Sequence, residues 1–296
     1  MPTLTPVFKA IVQISKEQTS VNNALVSVIV PTYNSASYLA GCLKSIKEQS
    51  YERVELIVVD NNSKDNTKEL AKRYTEQVYN WGPERSAQRN FGVKISKGDY
   101  VLIIDSDMEV SKDVVKSCVE TILDSKYVKA LIIPEQSFGQ GFWTQCKKLE
   151  RSFYSGIDWQ EAARFFERKV FEDLGGYDEE QTGSEDYDLP DRLEYKYGKN
   201  SIARVKELIY HNEQRLSLTK VCKKKIYYAK TLKAYLKKDA NKSRFAKQTS
   251  IACRYGVFFS RPVQLFRNPI LGVGMLFMKT CEFGAGAAGY LAAKIK

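Results

Sequence analysis

Side chains able to handle charge at a reacting centre are concentrated in a few short stretches of this chain. Val58-Val59-Asp60, Asp105-Ser106-Asp107 and Glu185-Asp186-Tyr187-Asp188 are the acidic clusters, and His211 is the only histidine. Asp60 and Asp105 each close a strongly apolar run, Leu56-Ile57-Val58-Val59 and Val101-Leu102-Ile103-Ile104. Such runs read as buried parallel strands, and open α/β sheets bind ligands at the carboxyl ends of their strands. Carboxylates converging on one crevice repel each other unless a cation sits between them. The pattern therefore points to a site that handles a divalent metal and phosphate.

Each group has a chemical reading and a plainer one. Asp60 at a strand end can accept the N–H of a pyrimidine base, and taken alone it reads equally as a turn or capping aspartate. Asp105 and Asp107 alternate on an extended segment, so one faces the ribose side of a nucleotide and the other a cation. Mg2+ or Mn2+ needs oxygen ligands and commonly takes one or two carboxylates plus substrate phosphates. Arg89 adds positive charge near a nucleotide, or forms a surface salt bridge. Glu185 and Asp186 open a helix, where acids offset the helix dipole; an acid there can also take the proton of an attacking hydroxyl. His211 reads as a structural histidine or as a metal ligand.

The elements that must position these groups follow from hydrophobic periodicity. Val26-Ser27-Val28-Ile29-Val30 is a β-branched strand ending in the turn Pro31-Thr32-Tyr33-Asn34. Leu39, Cys42, Leu43 and Ile46 fall at helical spacing, with Ser35 or Ser37 as the expected cap. Asp65 or Thr67 is expected to cap the next helix, and Ser111 one starting near Asp113. Strands are expected near Val78-Tyr79 and at Ala130-Leu131-Ile132-Ile133, and a helix holds Arg85, Arg89 and Asn90. Alternation of strand and helix predicts a doubly wound, mostly parallel sheet flanked by helices.

The chain has 296 residues and 27% charged residues, enough for one large α/β domain with an appendage. Its net charge of +11 is uneven: residues 1–188 hold 23 Lys/Arg and 29 Asp/Glu, whereas residues 189–254 hold 18 and 5. A basic third of this kind faces anionic lipid or nucleic acid, or is a solvated helical face. The six cysteines are scattered without a Cys-x-x-Cys pair, which suits a reducing compartment. The expected organisation is an N-terminal arm (1–24), a catalytic domain (25–216) and a basic helical C-terminal region (217–296).

In their order along the chain these pieces resemble the inverting glycosyltransferases of family 2, which have the Rossmann-like GT-A fold. The resemblance rests on Val26 to Asn34, Val58-Val59-Asp60-Asn61-Asn62-Ser63-Lys64-Asp65-Asn66-Thr67, Arg85-Ser86-Ala87-Gln88-Arg89-Asn90, Ile104-Asp105-Ser106-Asp107, Leu174-Gly175-Gly176-Tyr177-Asp178 and Gly183-Ser184-Glu185-Asp186-Tyr187-Asp188. It implies that Pro31, Tyr33 and Asp60 cradle the base, with Arg89 and Asp105 beside the nucleotide. It also implies that Asp107 ligates Mn2+ or Mg2+ through the diphosphate, with His211 as a further ligand. Asp186 would be the catalytic base and Glu185 would shape the acceptor side. The implied donor is a nucleoside-diphosphate sugar, UDP-sugars being favoured, and the implied reaction is a direct displacement at the anomeric carbon. Two departures stand out. The family's Asp-Gly pair after the second strand is here Asn61-Asn62, an exchange expected to be harmless. The Gln-x-x-Arg-Trp pattern of processive members is missing, so a single transfer is expected.

The tail carries two weakly polar stretches of about 11 residues, 268–278 and 283–293, separated by Lys279 and Glu282, against the ~20 residues needed to span a bilayer. Beside the basic segment, these predict an interfacial amphipathic hairpin on an anionic membrane, peripheral at a cytoplasmic face. The small-residue run Gly284-Ala285-Gly286-Ala287-Ala288-Gly289 offers close helix packing instead, in an oligomer or against the catalytic domain. A lipid-linked saccharide or polyprenyl phosphate is then the expected acceptor. A sugar-nucleotide nucleotidyltransferase would need a Gly-rich, basic loop after the first strand, and Pro31-Thr32-Tyr33-Asn34-Ser35 is not one. A non-catalytic binding protein on the same fold is opposed by the intact Asp107 and Asp186. No basic–aromatic nucleic-acid motif is present in the sequence.

Overall fold

The computed structural model describes residues 23–181, 185–229, 246–247 and 250–295. The N-terminal arm up to residue 22, residues 182–184 and the lysine-rich stretch 230–245 lie outside the described residues. Four parallel strands carry the first half: β1 (Val26–Thr32), β2 (Val54–Asp60), β3 (Val78–Asn80) and β4 (Tyr100–Ile103), side by side in the order β3-β2-β1-β4. They are joined through α1 (Leu39–Lys47), α2 (Thr67–Ala71) and α3 (Arg85–Ile95). Beyond β4 the sheet continues with antiparallel β8 (Ala163–Glu167), then β6 (Ala130–Ile132) and β9 (Ile202–Arg204). The mostly parallel, helix-flanked sheet expected from the sequence is what forms.

The near-continuous apolar strands follow from burial on both faces. All seven residues of β1 are buried, and alternate side chains serve opposite layers. Val26, Val28, Val30, Leu56, Val58 and Leu102 pack with α1 and with α4 (Val114–Leu123). Ile29, Ile57, Val59, Val101 and Ile103 pack against α3, against α6 (Arg168–Asp173) and against α7 (Glu185–Tyr197). The expected serine caps are not made. Tyr38 and Asp113 occupy the N-cap positions of α1 and α4 without a side-chain bond. Ser35 Oγ instead lies 2.9 Å from Ser106 Oγ, tying the loop after β1 to the segment after β4.

A smaller sheet places β10 (Ile209–Arg215) between β5 (Met108–Val110) and β7 (Glu135–Gln140). Its register sets His211 opposite Met108, the residue after Asp107. The strand ends at residues 32–34, 60–63 and 105–107 and the middle of β10 at 211–213 thus lie together, tied by Asn34 to Ser63, Ser35 to Ser106 and Asp107 to His211.

The tail is not a hairpin. After α8 (Leu218–Ala229), α9 (Ile251–Phe259) and α10 (Pro262–Phe266), a single helix α11 runs Pro269–Ile295. Lys279 and Glu282, expected to interrupt it, turn inward. Lys279 Nζ lies 2.5 Å from Glu150 and 2.6 Å from Glu282, and Lys147 Nζ lies 2.8 Å from Glu150 and 3.0 Å from Glu282. Glu150 and Lys147 belong to α5 (Phe142–Ser152), so two complementary pairs neutralise charges that would otherwise end the apolar helix. Met275 and Met278 of α11, Leu265, Phe258 and Val221 join Cys146 and Phe153 in a third core. Part of the small-residue run serves this packing: a Cβ on Gly289 would meet the Ile226 carbonyl oxygen at 2.8 Å and its Cα at 2.9 Å, whereas one on Gly286 meets nothing within 4 Å. Gly289→Val is therefore expected to lower stability by about 1–3 kcal/mol through overpacking, and Gly286→Ala to be neutral or slightly stabilising. Thermal unfolding checks the pair; equal behaviour of the two would contradict the docking of α11 on α8.

Candidate active site

Two cavities open at the carboxyl ends of the parallel strands. The first, of about 610 Å³, is lined by Tyr33 after β1, Asn61, Asn62 and Lys64 after β2, Pro83, Glu84, Arg85 and Gln88 at the start of α3, and Tyr227 and Tyr228 from α8. The loops that shape it are cross-tied. Asn34 N–H donates to Ser63 Oγ at 2.8 Å and Lys64 N–H to Asn34 Oδ1 at 2.8 Å. Asn34 and Asn62 both have positive φ, +48° and +54°. Asparagine tolerates this region better than most residues, which is why Asn62 can stand where the family pattern has glycine.

Asp60 does not face this cavity. Its carboxylate is fully buried and accepts from Thr32 Oγ1 at 2.9 Å, Ser63 N–H at 2.8 Å and Ser63 Oγ at 2.5 Å. It organises the loop, and the neighbouring Asn61 lines the cavity, its amide nitrogen donating to the Pro83 carbonyl. Pro31 likewise lies within β1, buried opposite Val59, and contributes nothing to the wall. Tyr33 is exposed and lines the cavity as expected.

The second cavity, of about 620 Å³, shares Arg85 and Tyr228 with the first and contains Asp105, Asp186 and His211 in its wall. Between its elements lies Arg89, fully buried on α3. Its Nη2 is 2.5 Å from Asp105 Oδ1, and its Nη1 is 2.8 Å from Asp186 Oδ1 and 3.5 Å from Glu185 Oε1. The guanidinium sits 5.1 Å from the Tyr177 ring centroid. Arg89 is thus not a surface pair. Burial disfavours charge on Asp105, but Arg89, Arg164 and Arg85 outweigh it and hold the carboxyl far below the usual range. The alternation continues: Arg164 pairs with Glu135 at 2.7 Å, Arg151 with Glu135 and with Glu213 at 3.2 Å, and Glu213 faces His211. Burial opposes ionisation of Glu135 as well, and Arg164 and Arg151 pull its pKa down to about 2.

Glu185 and Asp186 diverge. Glu185 is fully buried, 2.6 Å from Arg85 Nε, and stays out of the cavity. Desolvation first and the adjacent Asp186 second push its carboxyl pKa up. A role shaping the acceptor side directly does not fit this placement; Glu185 braces Arg85 and Arg89. Asp186 lines the cavity with its side chain 20% exposed.

Asp107 and His211 meet at the junction of the small sheet, with Asp107 Oδ2 3.6 Å from His211 Nε2 and Glu213 Oε1 3.2 Å from Nδ1. A carboxylate behind one imidazole nitrogen orients the other toward a ligand. One carboxylate oxygen and one imidazole nitrogen at this separation suit a divalent cation that also takes phosphate and water. Among the described residues no group of three His, Cys, Asp or Glu side chains could hold a metal ion without further ligands.

A family model described as glycosyl transferase family 2 matches residues 27–179, more than half of the chain. The chain belongs to glycosyltransferase family 2. Among similar proteins, glycosyltransferase GlyG of Streptococcus pneumoniae is 32% identical over 105 residues, covering 33% of this chain and 35% of GlyG. The poly(ribitol-phosphate) β-N-acetylglucosaminyltransferase TarS of Staphylococcus aureus is 31% identical over 118 residues, 36% of this chain and 20% of TarS. The chain thus matches about a third or less of the length of these relatives. In fold, a mannosyltransferase from Pyrobaculum calidifontis, solved with GDP-Man and Mn2+, superposes with a TM-score of 0.64 at 16% identity, over 95% of this chain and 94% of that one. A glucosyl-3-phosphoglycerate synthase from Mycobacterium tuberculosis, solved with Mn2+ and UDP, gives 0.52 at 18% identity, over 78% and 84%. Both likenesses show the GT-A fold of this glycosyltransferase. Membership of the family sets aside the nucleotidyltransferase alternative.

Several residues of the site escaped the sequence reading. Arg85 precedes Arg89 by one helical turn, which was a usable signal. Arg164, Glu135 and Arg151 lie on β8, β7 and α5 with no motif to mark them, and Tyr227 and Tyr228 are embedded in a basic helix. The split between Asp60 and Asn61 gives a direct test. Asp60→Asn is expected to destabilise the protein by about 1–3 kcal/mol, because an amide presents a donor to buried donors. Asn61→Ala is expected to weaken UDP binding with little change in melting temperature. Weaker UDP binding by a stably folded Asp60→Asn would contradict the assignment.

Proposed function

We propose that this glycosyltransferase moves a single sugar from a nucleoside-diphosphate sugar, a UDP-sugar in the favoured case, to an acceptor hydroxyl or phosphate with inversion. The observation that carries the reading is the placement of Asp186. It stands in the wall of a cavity that adjoins the nucleotide-sized one through Arg85 and Tyr228, and its Oδ1 is fixed by Arg89. The relatives solved with UDP or GDP-Man support the donor class. In this mechanism the base lies near Tyr33 and Asn61 and the diphosphate reaches past Arg85 toward Asp107. The Asp186 carboxylate takes the proton of the acceptor hydroxyl as its oxygen bonds to the anomeric carbon. The bond from that carbon to the diphosphate oxygen breaks, and the nucleoside diphosphate leaves. Asp107 and His211 would hold Mn2+ or Mg2+, which neutralises charge on the departing diphosphate.

Asp186→Asn is expected to lower transfer about 10²–10⁴-fold, the range for losing a general base, with UDP affinity nearly unchanged. The amide oxygen can still meet Arg89, so lost UDP binding would show that Asp186 acts on the donor instead. Asp107→Asn and His211→Ala are expected to remove the dependence of UDP affinity on Mn2+, read by calorimetry; retained dependence would place the metal elsewhere.

The acceptor reading extends to a membrane surface. Ile270, Val273 and Phe277 of α11 are 74%, 61% and 55% exposed and share one outward row, with Val263 and Phe266 of α10 beside it. The stretch Pro269–Ala292 has a mean hydropathy of 1.2 and the length to cross a bilayer, yet a third of it is buried against the protein. With α5 and α8 on the inner face, the outer row suits lying in an interface, flanked by Arg261 and Arg267. Flotation with anionic vesicles checks this: Ile270→Asp/Phe277→Asp is expected to abolish the binding seen with the parent chain. Equal flotation of the two would remove membrane docking from the account.

A further inference from the structure

The cavity that receives Asp186 runs beneath α8, and its charges do not balance. Seven carboxylates reach its wall, and each has a cation. Asp105 and Asp186 meet Arg89; Glu135 and Glu213 meet Arg151; Glu161 meets Arg204. Glu150 and Glu282 are matched by Lys147 and Lys279. Among the described residues Lys220, Lys224 and Lys225, which also line this wall, have no ion pair.

These three lysines are not scattered. With Val221 and Tyr228 they fall at 220, 221, 224, 225 and 228, one stripe of α8 turned to the cavity. The arrangement is unfavourable for the helix itself. Lys220 lies in the first turn, against the positive end of the dipole, and Lys220 and Lys224 are like charges one turn apart. Lys225 faces Lys147 and Glu150 from α5 and Lys279 and Glu282 from α11. Glu282 favours its charge, but burial, Lys279 and Lys147 outweigh that and lower its pKa to about 8. A bound anion would relieve all three costs at once.

We infer that Lys220, Lys224 and Lys225 form a subsite for a phosphate group of the acceptor, so that this enzyme glycosylates a phosphate-bearing molecule in preference to a neutral saccharide. The inference rests on the reading of Asp186 as the base in the same cavity. Lysine suits this role as a compact charge able to meet several phosphate oxygens. A lipid phosphate and a soluble phosphate ester present the same group, and the experiment separates them.

With UDP and Mn2+ saturating, glycerol 3-phosphate, glycerol and lysophosphatidic acid (a lipid phosphomonoester with a free hydroxyl) in mixed micelles are titrated into the full chain. The same titrations are made with Lys220→Gln/Lys224→Gln and Lys224→Gln/Lys225→Gln. Lys220 and Lys224 are exposed, so the first variant tests binding without disturbing the core. The parent is expected to bind a phosphate compound and not glycerol, and each variant to weaken that binding about tenfold or more, the loss of one to two charge-assisted contacts. Tighter binding of the micellar phosphate assigns the lipid source, and equal or tighter binding of glycerol 3-phosphate assigns a soluble ester. No phosphate binding by the parent, or binding untouched by both variants, overturns the inference. Failure of the parent to bind UDP would instead overturn the nucleotide reading on which it rests.

Discussion

The buried guanidinium of Arg89 is the interaction on which the rest of this site depends. A charge taken wholly out of water is tolerated only where opposite charges and hydrogen bonds surround it. Arg89 meets that condition with carboxylates from two distant parts of the chain, Asp105 at the end of β4 and Asp186 with Glu185 at the start of α7, and with the face of Tyr177. The same contacts that make its burial acceptable fix the separation between the strand end and the Asp186 carboxylate. From Asp105 the alternation passes through Arg164, Glu135, Arg151 and Glu213 to His211 and Asp107. The two sheets are thereby joined by charge across the cavity, not by apolar packing alone. Rigid placement of a base is what general catalysis needs, because a proton transfer tolerates little misalignment.

Much of the scaffold was legible because burial on both faces leaves a plain record. The strands β1, β2 and β4 are largely apolar, broken before their ends only by Ser27 and Glu55, and the carboxylates that close or follow them had to emerge at one edge. The order of the motifs brought Arg89, Asp105 and Asp186 to one site. What could not be read was direction within a motif. Whether Asp60 or Asn61 faces a ligand depends on Thr32 and Ser63 capturing the carboxylate, a contact between loops that no periodicity encodes. Glu185 and Asp186 are adjacent, and only the packing of α7 decides that the first is buried and the second reaches the cavity.

The tail was misread for a related reason. Lys279 and Glu282 look like an interruption when a helix is considered alone, whereas Lys147 and Glu150 on α5 supply the complementary pair. Once neutralised, they anchor a 27-residue helix to the catalytic domain. That anchoring also holds α8, whose Tyr227 and Tyr228 line the cavity beside Tyr33 and Asn61 and whose lysines line the one that contains Asp186. The basic C-terminal region is therefore part of the site as well as a candidate surface for membranes.

The most direct test of this account is the transfer kinetics of Arg89→Lys. Lysine keeps the charge but cannot bridge Asp105 and Asp186 with one planar fork. The account expects a folded protein whose kcat falls about 100-fold, or roughly 2.7 kcal/mol of barrier, as the base loses its fixed position. A variant with the parent's kcat would contradict the claim that this buried guanidinium organises the site.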